Sequence, residues 1–415
     1  MASSVDKPLR IVGEGWPVVD GQGDGNILEI TAPDVTIEGL VLRGSGSSLD
    51  RENAGVSSDG SAGIRIVGNR FEDVLFGVFL RRAPDSLVAD NVIGAKELSL
   101  GRRGDGIRLW ESPGTTIEGN TVTDGRDSVL WFSEGLVVRD NVVKRGRYGL
   151  HFMYSDDALV EGNWLEGNSV GGFLMYSRNL TLRDNVAFDN RGPSGYGFGF
   201  KDMDGIEADG NRLVDNRVGL YFDNSPWSTD VYQHFRRNVV AYNDIGLEFN
   251  PSVKRNVFSA NAFIDNREQV SLTGGGTFVD NNEWTADGVG NFWSDYAGYD
   301  SDGDGLGEVP YRAEDLFGEL TDDHPEVAFF SNSPAARAVD MAAQAFPVLR
   351  PDPKLVDEAP MVSPPDVPPL ARAPAEGSRG LLAVASLAMV GLAAAVVVAS
   401  GAWPRRRLGL TGVGA

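Results

Sequence analysis

The chain has 415 residues, 41% of them apolar and 52 of them glycine, enough to bury a large elongated core. It contains no cysteine, which excludes disulfides, iron–sulfur clusters and thiolate metal sites. Its formal charge of −22 argues against a nucleic-acid partner, because phosphate binding needs the opposite sign, and six lysines against 31 arginines describe an acidic surface, whether built for high salt or merely acidic.

The N-terminal string MASSVDKPLRIVGEG is not an export signal and opens abruptly in what reads as a coil, so an upstream signal and part of a first coil are expected to precede it. From there asparagines recur behind one short pattern, an apolar or small residue, two variable residues and Asn: Asn69, Asn91, Asn120, Asn141, Asn163, Asn185, Asn211, Asn238, Asn261 and Asn282, between 21 and 29 residues apart. Within each repeat a second signature follows, Gly-apolar-any-apolar, as in Gly77-Val78-Phe79-Leu80, Gly149-Leu150-His151-Phe152 and Gly219-Leu220-Tyr221-Phe222. That alternation is strand-like, and Gly and Asn at this density interrupt any candidate helix. A repeat this short cannot bury a core singly. The expected fold is therefore all-β, a right-handed parallel β-helix over residues 1–330. Asn suits its corners because it tolerates left-handed backbone and its amide can bond to the Asn of the adjacent coil, so the ladder reads as structural. Longer gaps near residues 100, 195 and 230 mark loops, where a solenoid carries its binding surface.

If Leu150, Phe152 and Tyr154 fill the interior, strand parity turns His151 and Met153 outward, then Phe173 and Met175 one coil later, then Lys201 and Met203. Met153 and Met175 lie one 22-residue repeat apart, so their thioethers are expected to stack. Soft thioethers with an imidazole suit Cu(I), and the expected ligands are His151, Met153, Met175 and Met203 in an exposed site. The plainer reading is flexible apolar packing. His234 and His324 are isolated and read as surface or packing residues. A carbohydrate-active enzyme (lyase, hydrolase or epimerase) would want paired carboxylates on one groove, for which Asp202, Asp204 and Asp223 are candidates. An adhesive surface protein is the third class.

Asp300, Asp302 and Asp304 alternate, with Gly305 at the turn and Glu308 beyond, like the first half of a calcium loop, although Tyr311 stands where an EF-hand places its bidentate Glu. An acidic turn is the alternative. Residues 331–379 read as an extended proline-rich linker. Residues 380–403 carry no charge and are long enough to cross a bilayer, and Arg405, Arg406 and Arg407 place the 404–415 tail in the cytoplasm and the β-helix outside. A tail-anchored cytoplasmic protein is the competing topology.

Several strings carry a specific resemblance: GDGIRLWES (104–112), RYGLHFMYS (147–155), GGFLMYS (171–177), GYGFGFKDMD (195–204), GLYFDNSP (219–226), GNFWSDYAGYDSDGDGLGEVPY (290–311) and FPVLRPDPKLVDEAPM (346–361). Over roughly residues 8–365 the chain resembles the NosD-type periplasmic copper-binding proteins, β-helix accessory factors in nitrous oxide reductase maturation. That resemblance implies an extracytoplasmic role in assembling the reductase's copper centre, with an ABC-type ATPase and a multi-span permease as partners. The sequence departs from it in lacking an export signal and in ending with a membrane span.

Overall fold

The computed structural model describes residues 3–365 apart from 275–276, 278–280, 315–316, 318–319, 321–323, 331–332 and 346–351. Its strands form a parallel β-solenoid of three sheets. The first has 12 strands, from Ser3–Val5 to Glu268–Leu272, the second 11, from Arg10–Val12 to Asn256–Ser259, and the third 12, from Val18–Asp20 to Phe292–Trp293. One coil visits each sheet once; Tyr148–Met153, Leu159–Glu161 and Trp164–Glu166 are followed by Val170–Met175, back on the first sheet. Strands of three residues have no stability alone and persist only by pairing with the coils on either side.

Each strand sends alternate side chains inward, so a coil contributes four or five apolar groups to one continuous core. Leu150, Phe152, Val160 and Leu165 are buried in one coil, and Leu174, Leu182 and Ala187 follow in the next. Toward the C-terminal end aromatic rings fill the interior in register: Phe222 stacks on Phe249 at 4.8 Å and Phe235 on Phe258 at 5.0 Å.

Buried asparagines hold the corners. In the main column, from Asn91 onward, each Oδ1 accepts from the backbone N–H and the side-chain amide of the Asn one coil before, as Asn163 does for Asn141 at 3.1 and 3.0 Å. This column ends at Asn291, which accepts from Asn261, and not at Asn282. A long connection after Leu272 displaces the repeat, and Asn282 instead accepts from Asn256 at the start of the second sheet's last strand. A second column, Asn168–Asn190–Asn216–Asn243–Asn266, runs in parallel, visible in the sequence only as the second Asn of strings such as VEGNWLEGN.

The glycine signature has a steric cause. A Cβ on Gly77, Gly149, Gly171 or Gly197 would sit 2.4–2.7 Å from the carbonyl oxygen of the matching glycine in the next coil, closer than any side chain tolerates.

At the C-terminal end the chain returns over the last coil. Val356–Asp357 pairs antiparallel with Tyr311–Arg312, Leu355 and Asp357 are fully buried, and Lys354 meets Glu268 at 2.9 Å. The Asp357 carboxylate accepts from the Asn291 backbone at 2.7 Å and from the Trp293 indole at 3.0 Å, ending both the asparagine column and the core. Residues 354–361 thus pack on the solenoid, although their proline-rich context reads as free linker. Pro334–Ala345 is an α-helix. Among the described residues no helix is long and apolar enough to cross a membrane, and residues 380–403 lie outside them.

Candidate metal centre

The strands Tyr148–Met153 and Val170–Met175 pair in parallel with Met153 opposite Met175 and His151 opposite Phe173. Leu150, Phe152 and Leu174 point inward, so His151, Met153 and Met175 share the outer face of the first sheet. The methionine column continues to Trp131 on one side and Lys201 on the other.

His151 differs from expectation in one respect: it faces outward but is only 6% exposed. The rings of Tyr148, 4.8 Å away, and Trp131, 5.2 Å away, cover it edge-on. Both thioether side chains are half-buried, so the centre is a partly covered one. His151 Nδ1 is buried without a hydrogen-bond partner among the described residues, 3.8 Å from Asp127 Oδ2. Burial would push the Asp127 carboxyl up, but the His151 ring and the Arg147 guanidinium outweigh it and hold it below the ordinary carboxylate range. Two thioethers in register with an imidazole on the same face fit a soft monovalent ion.

Met203 does not belong to this face. It is fully buried in the core, because Asp202 takes left-handed backbone (φ 49°) and reverses the alternation beyond Lys201. Met203 stands where neighbouring coils place the inward serines Ser155, Ser177 and Ser225, and its N–H bonds to Ser225 Oγ at 3.0 Å. The same corner turns Tyr154 outward: at φ 52° it is 48% exposed and does not fill the interior.

That corner builds an aromatic wall. Phe132 stacks on Tyr154 at 5.2 Å and Tyr154 on Tyr176 at 5.1 Å, nearly parallel in both cases. The wall lines a groove of ≈ 750 Å³, with Trp227 and Arg178 also in its lining and the carboxylates of Glu134, Asp156 and Asp202 beside them.

A buried ionic cluster flanks the histidine. Asp105 meets Arg126 at 3.0 Å and Arg108 at 3.6 Å with no exposure of its side chain. Burial pushes its carboxyl up to about 6 despite these guanidinium groups. The folded state therefore holds this proton more tightly than the unfolded chain, and the Asp105 contribution to stability falls as pH rises from the ordinary carboxylate range through about 6. Thermal melts at pH 5 and pH 7 should show a larger acid-side gain for the parent than for Asp105→Asn; equal gains would mean that Asp105 does not titrate in this window.

The carboxylates considered for an acid–base pair are each engaged. Asp223 pairs with Lys201, Asp202 accepts from the Asn224 amide, and Asp204 is buried and bonded to Ser228. His234 lies half-buried in the second sheet and His324 is exposed.

In the acidic loop, ligand oxygens of Asp300, Asp302 and Asp304 lie within 4.8 Å of one another. The N–H groups of Gly305 and Gly303 bond to Asp300 and hold its carboxyl below the ordinary range. Glu308 is not in this triad; its carboxylate accepts from the Ser301 hydroxyl. Tyr311 packs on Trp293 at 4.4 Å.

Residues 91–298 match the family described as periplasmic copper-binding protein (NosD). The probable ABC transporter binding protein NosD of Pseudomonas aeruginosa is 31% identical over 382 residues, covering 88% of this chain and 86% of the relative. The protein of the same description from Stutzerimonas stutzeri is 30% identical over 390 residues, covering 86% and 84%. Among solved structures, the A-module of the mannuronan C-5 epimerase AlgE6 of Azotobacter vinelandii superposes with a TM-score of 0.50 at 16% identity, over 66% of this chain and 81% of the module, a likeness of fold alone.

Proposed function

This chain belongs to the NosD family of periplasmic copper-binding proteins, and from that membership we propose that it works outside the cytoplasm, taking Cu(I) as cargo for the copper centre of nitrous oxide reductase. The observation that carries the reading is the register of Met153 and Met175, with His151 on the same outer face of the sheet. Thioethers and imidazole favour Cu(I) over zinc, and without thiolate the ion stays exchangeable, as delivery requires. An ABC-type ATPase and a multi-span permease complete the assembly, in keeping with relatives described as ABC transporter binding proteins. Those descriptions also favour a binding protein over an enzyme.

Replacing Met153 and Met175 together by leucine keeps volume and should cost less than about 1.5 kcal/mol of stability. Cu(I) affinity should fall by at least about 100-fold, since even outer-shell partners of a metal are worth 10–100-fold. Reductase matured with the double variant should lack its copper centre. Parental affinity in an anaerobic competition titration would return these methionines to packing.

Two ancillary assignments accompany this. Residues 380–403 anchor the protein, so protease added to intact cells should remove the β-helix. The Asp300, Asp302 and Asp304 triad takes Ca²⁺, which relieves repulsion among three clustered carboxylates. Calcium should raise the melting temperature and EDTA should reverse it in the parent, with Asp302→Ala indifferent to both; a melting curve that ignores EDTA reduces the loop to a turn.

A further inference from the structure

The aromatic groove adjoins the thioether pair directly, since Tyr154 follows Met153 and Tyr176 follows Met175 at the same corner. Its three stacked rings are closed at one end by Trp110, 5.0 Å from Phe132. At the other end the stack stops, because Asp202 and not a ring holds the position matching Tyr176 in the next coil. Trp227, 49% exposed, contributes a fourth ring, with the Arg178 guanidinium 5.5 Å from its centroid. Glu134 forms no ion pair among the described residues.

Rings beside carboxylates are the chemistry that holds an ammonium or guanidinium group: the π faces attract a cation and the acids supply its counter-charge. Three carboxylates line the groove against one guanidinium, on a chain of net charge −22; Asp202 also lies 3.9 Å from the Lys201 ammonium, but Glu134 and Asp156 form no ion pair among the described residues. An anionic occupant is disfavoured by that excess, and the groove is large enough to enclose side chains of a peptide. The geometry points to this groove as the seat of an arginine- or lysine-bearing segment of the protein that exchanges copper with Met153 and Met175, an assignment that rests on the copper reading above. Docking there brings the partner's metal-carrying surface against the thioethers, and the cation fixes its approach.

The full chain titrated calorimetrically at low salt with tri-arginine amide should show saturable one-to-one binding that weakens as salt is raised. Trp227→Ala, and separately Glu134→Gln with Asp202→Asn, should each weaken it about tenfold or more, a loss of the size that cation–π and ion-pair contacts supply. Glu97→Gln, which removes a charge outside the groove, should leave it unchanged. Trp227→Ala should keep parental Cu(I) affinity, and the Met153→Leu, Met175→Leu variant should keep parental tri-arginine binding, so failure of either site reads out separately. Equal binding of the probe by the parent and Trp227→Ala would overturn the proposal. So would saturable binding of maltotriose in preference to tri-arginine, which would make the groove a saccharide site.

Discussion

Gly149→Ala should fold poorly, whereas Gly101→Ala should be silent. A Cβ at Gly149 would lie 2.4 Å from the Gly171 carbonyl oxygen and 3.1 Å from the Asn168 amide, while the same atom at Gly101 meets nothing within 4 Å. The Gly171 oxygen is backbone, in a strand held by coils on both sides, so it cannot rotate away as a side chain would. Overpacking of this kind typically costs about 1–3 kcal/mol, and a clash with unyielding backbone falls at the upper end; here it also parts the two strands that bear the thioethers. Urea unfolding should show the midpoint falling sharply for Gly149→Ala alone. A parental midpoint would mean that neighbouring coils can separate locally at little cost, against the account of the glycine column given above.

Asn163→Ala is expected to have the next largest effect. Its Oδ1 accepts from the Asn141 backbone and amide, and its Nδ2 donates to Val138 O and Asn185 Oδ1, both at 2.9 Å. Truncation leaves a buried N–H and a buried carbonyl without their partners, each worth about 1–3 kcal/mol, so a loss of about 3 kcal/mol follows. Because coils couple only to their neighbours, the break should also reduce cooperativity, with the halves on either side of the lesion melting less in step. Calorimetry should record a lower and broader transition. A sharp melt at the parental temperature would leave the ladder without an energetic role.

Much of this architecture was legible because the coil repeats its own constraints. The main asparagine column and the glycine signature each reflect one backbone geometry enforced at every turn, and so they surface as periodic letters. Asn282 misleads because an insertion of ordinary spacing mimics a repeat. Parity is a reliable guide only inside a strand: it places His151, Met153 and Met175 on one face, but a single left-handed residue at the corner sends Tyr154 out and Met203 in. The Trp131 part of the cover over His151 could not be read, since Trp131 comes from the preceding coil and reaches the imidazole only through register. The anchoring of residues 354–361 was equally hidden, because one buried aspartate and one leucine decide it against a background of prolines.

The solenoid also indexes position along its axis. Four rungs of the first sheet separate the Met175 strand from Glu268–Leu272, about 19 Å at the usual strand spacing. Gaining or losing a whole repeat would slide the thioethers and their groove toward or away from the sealed terminus while keeping them on the same side. Gaining or losing a single strand would swing them onto a different side of the prism. The reach of this centre toward anything bound at either end is therefore adjustable only in coil-sized steps, a geometry that lets lineages retune distance without having to redesign orientation.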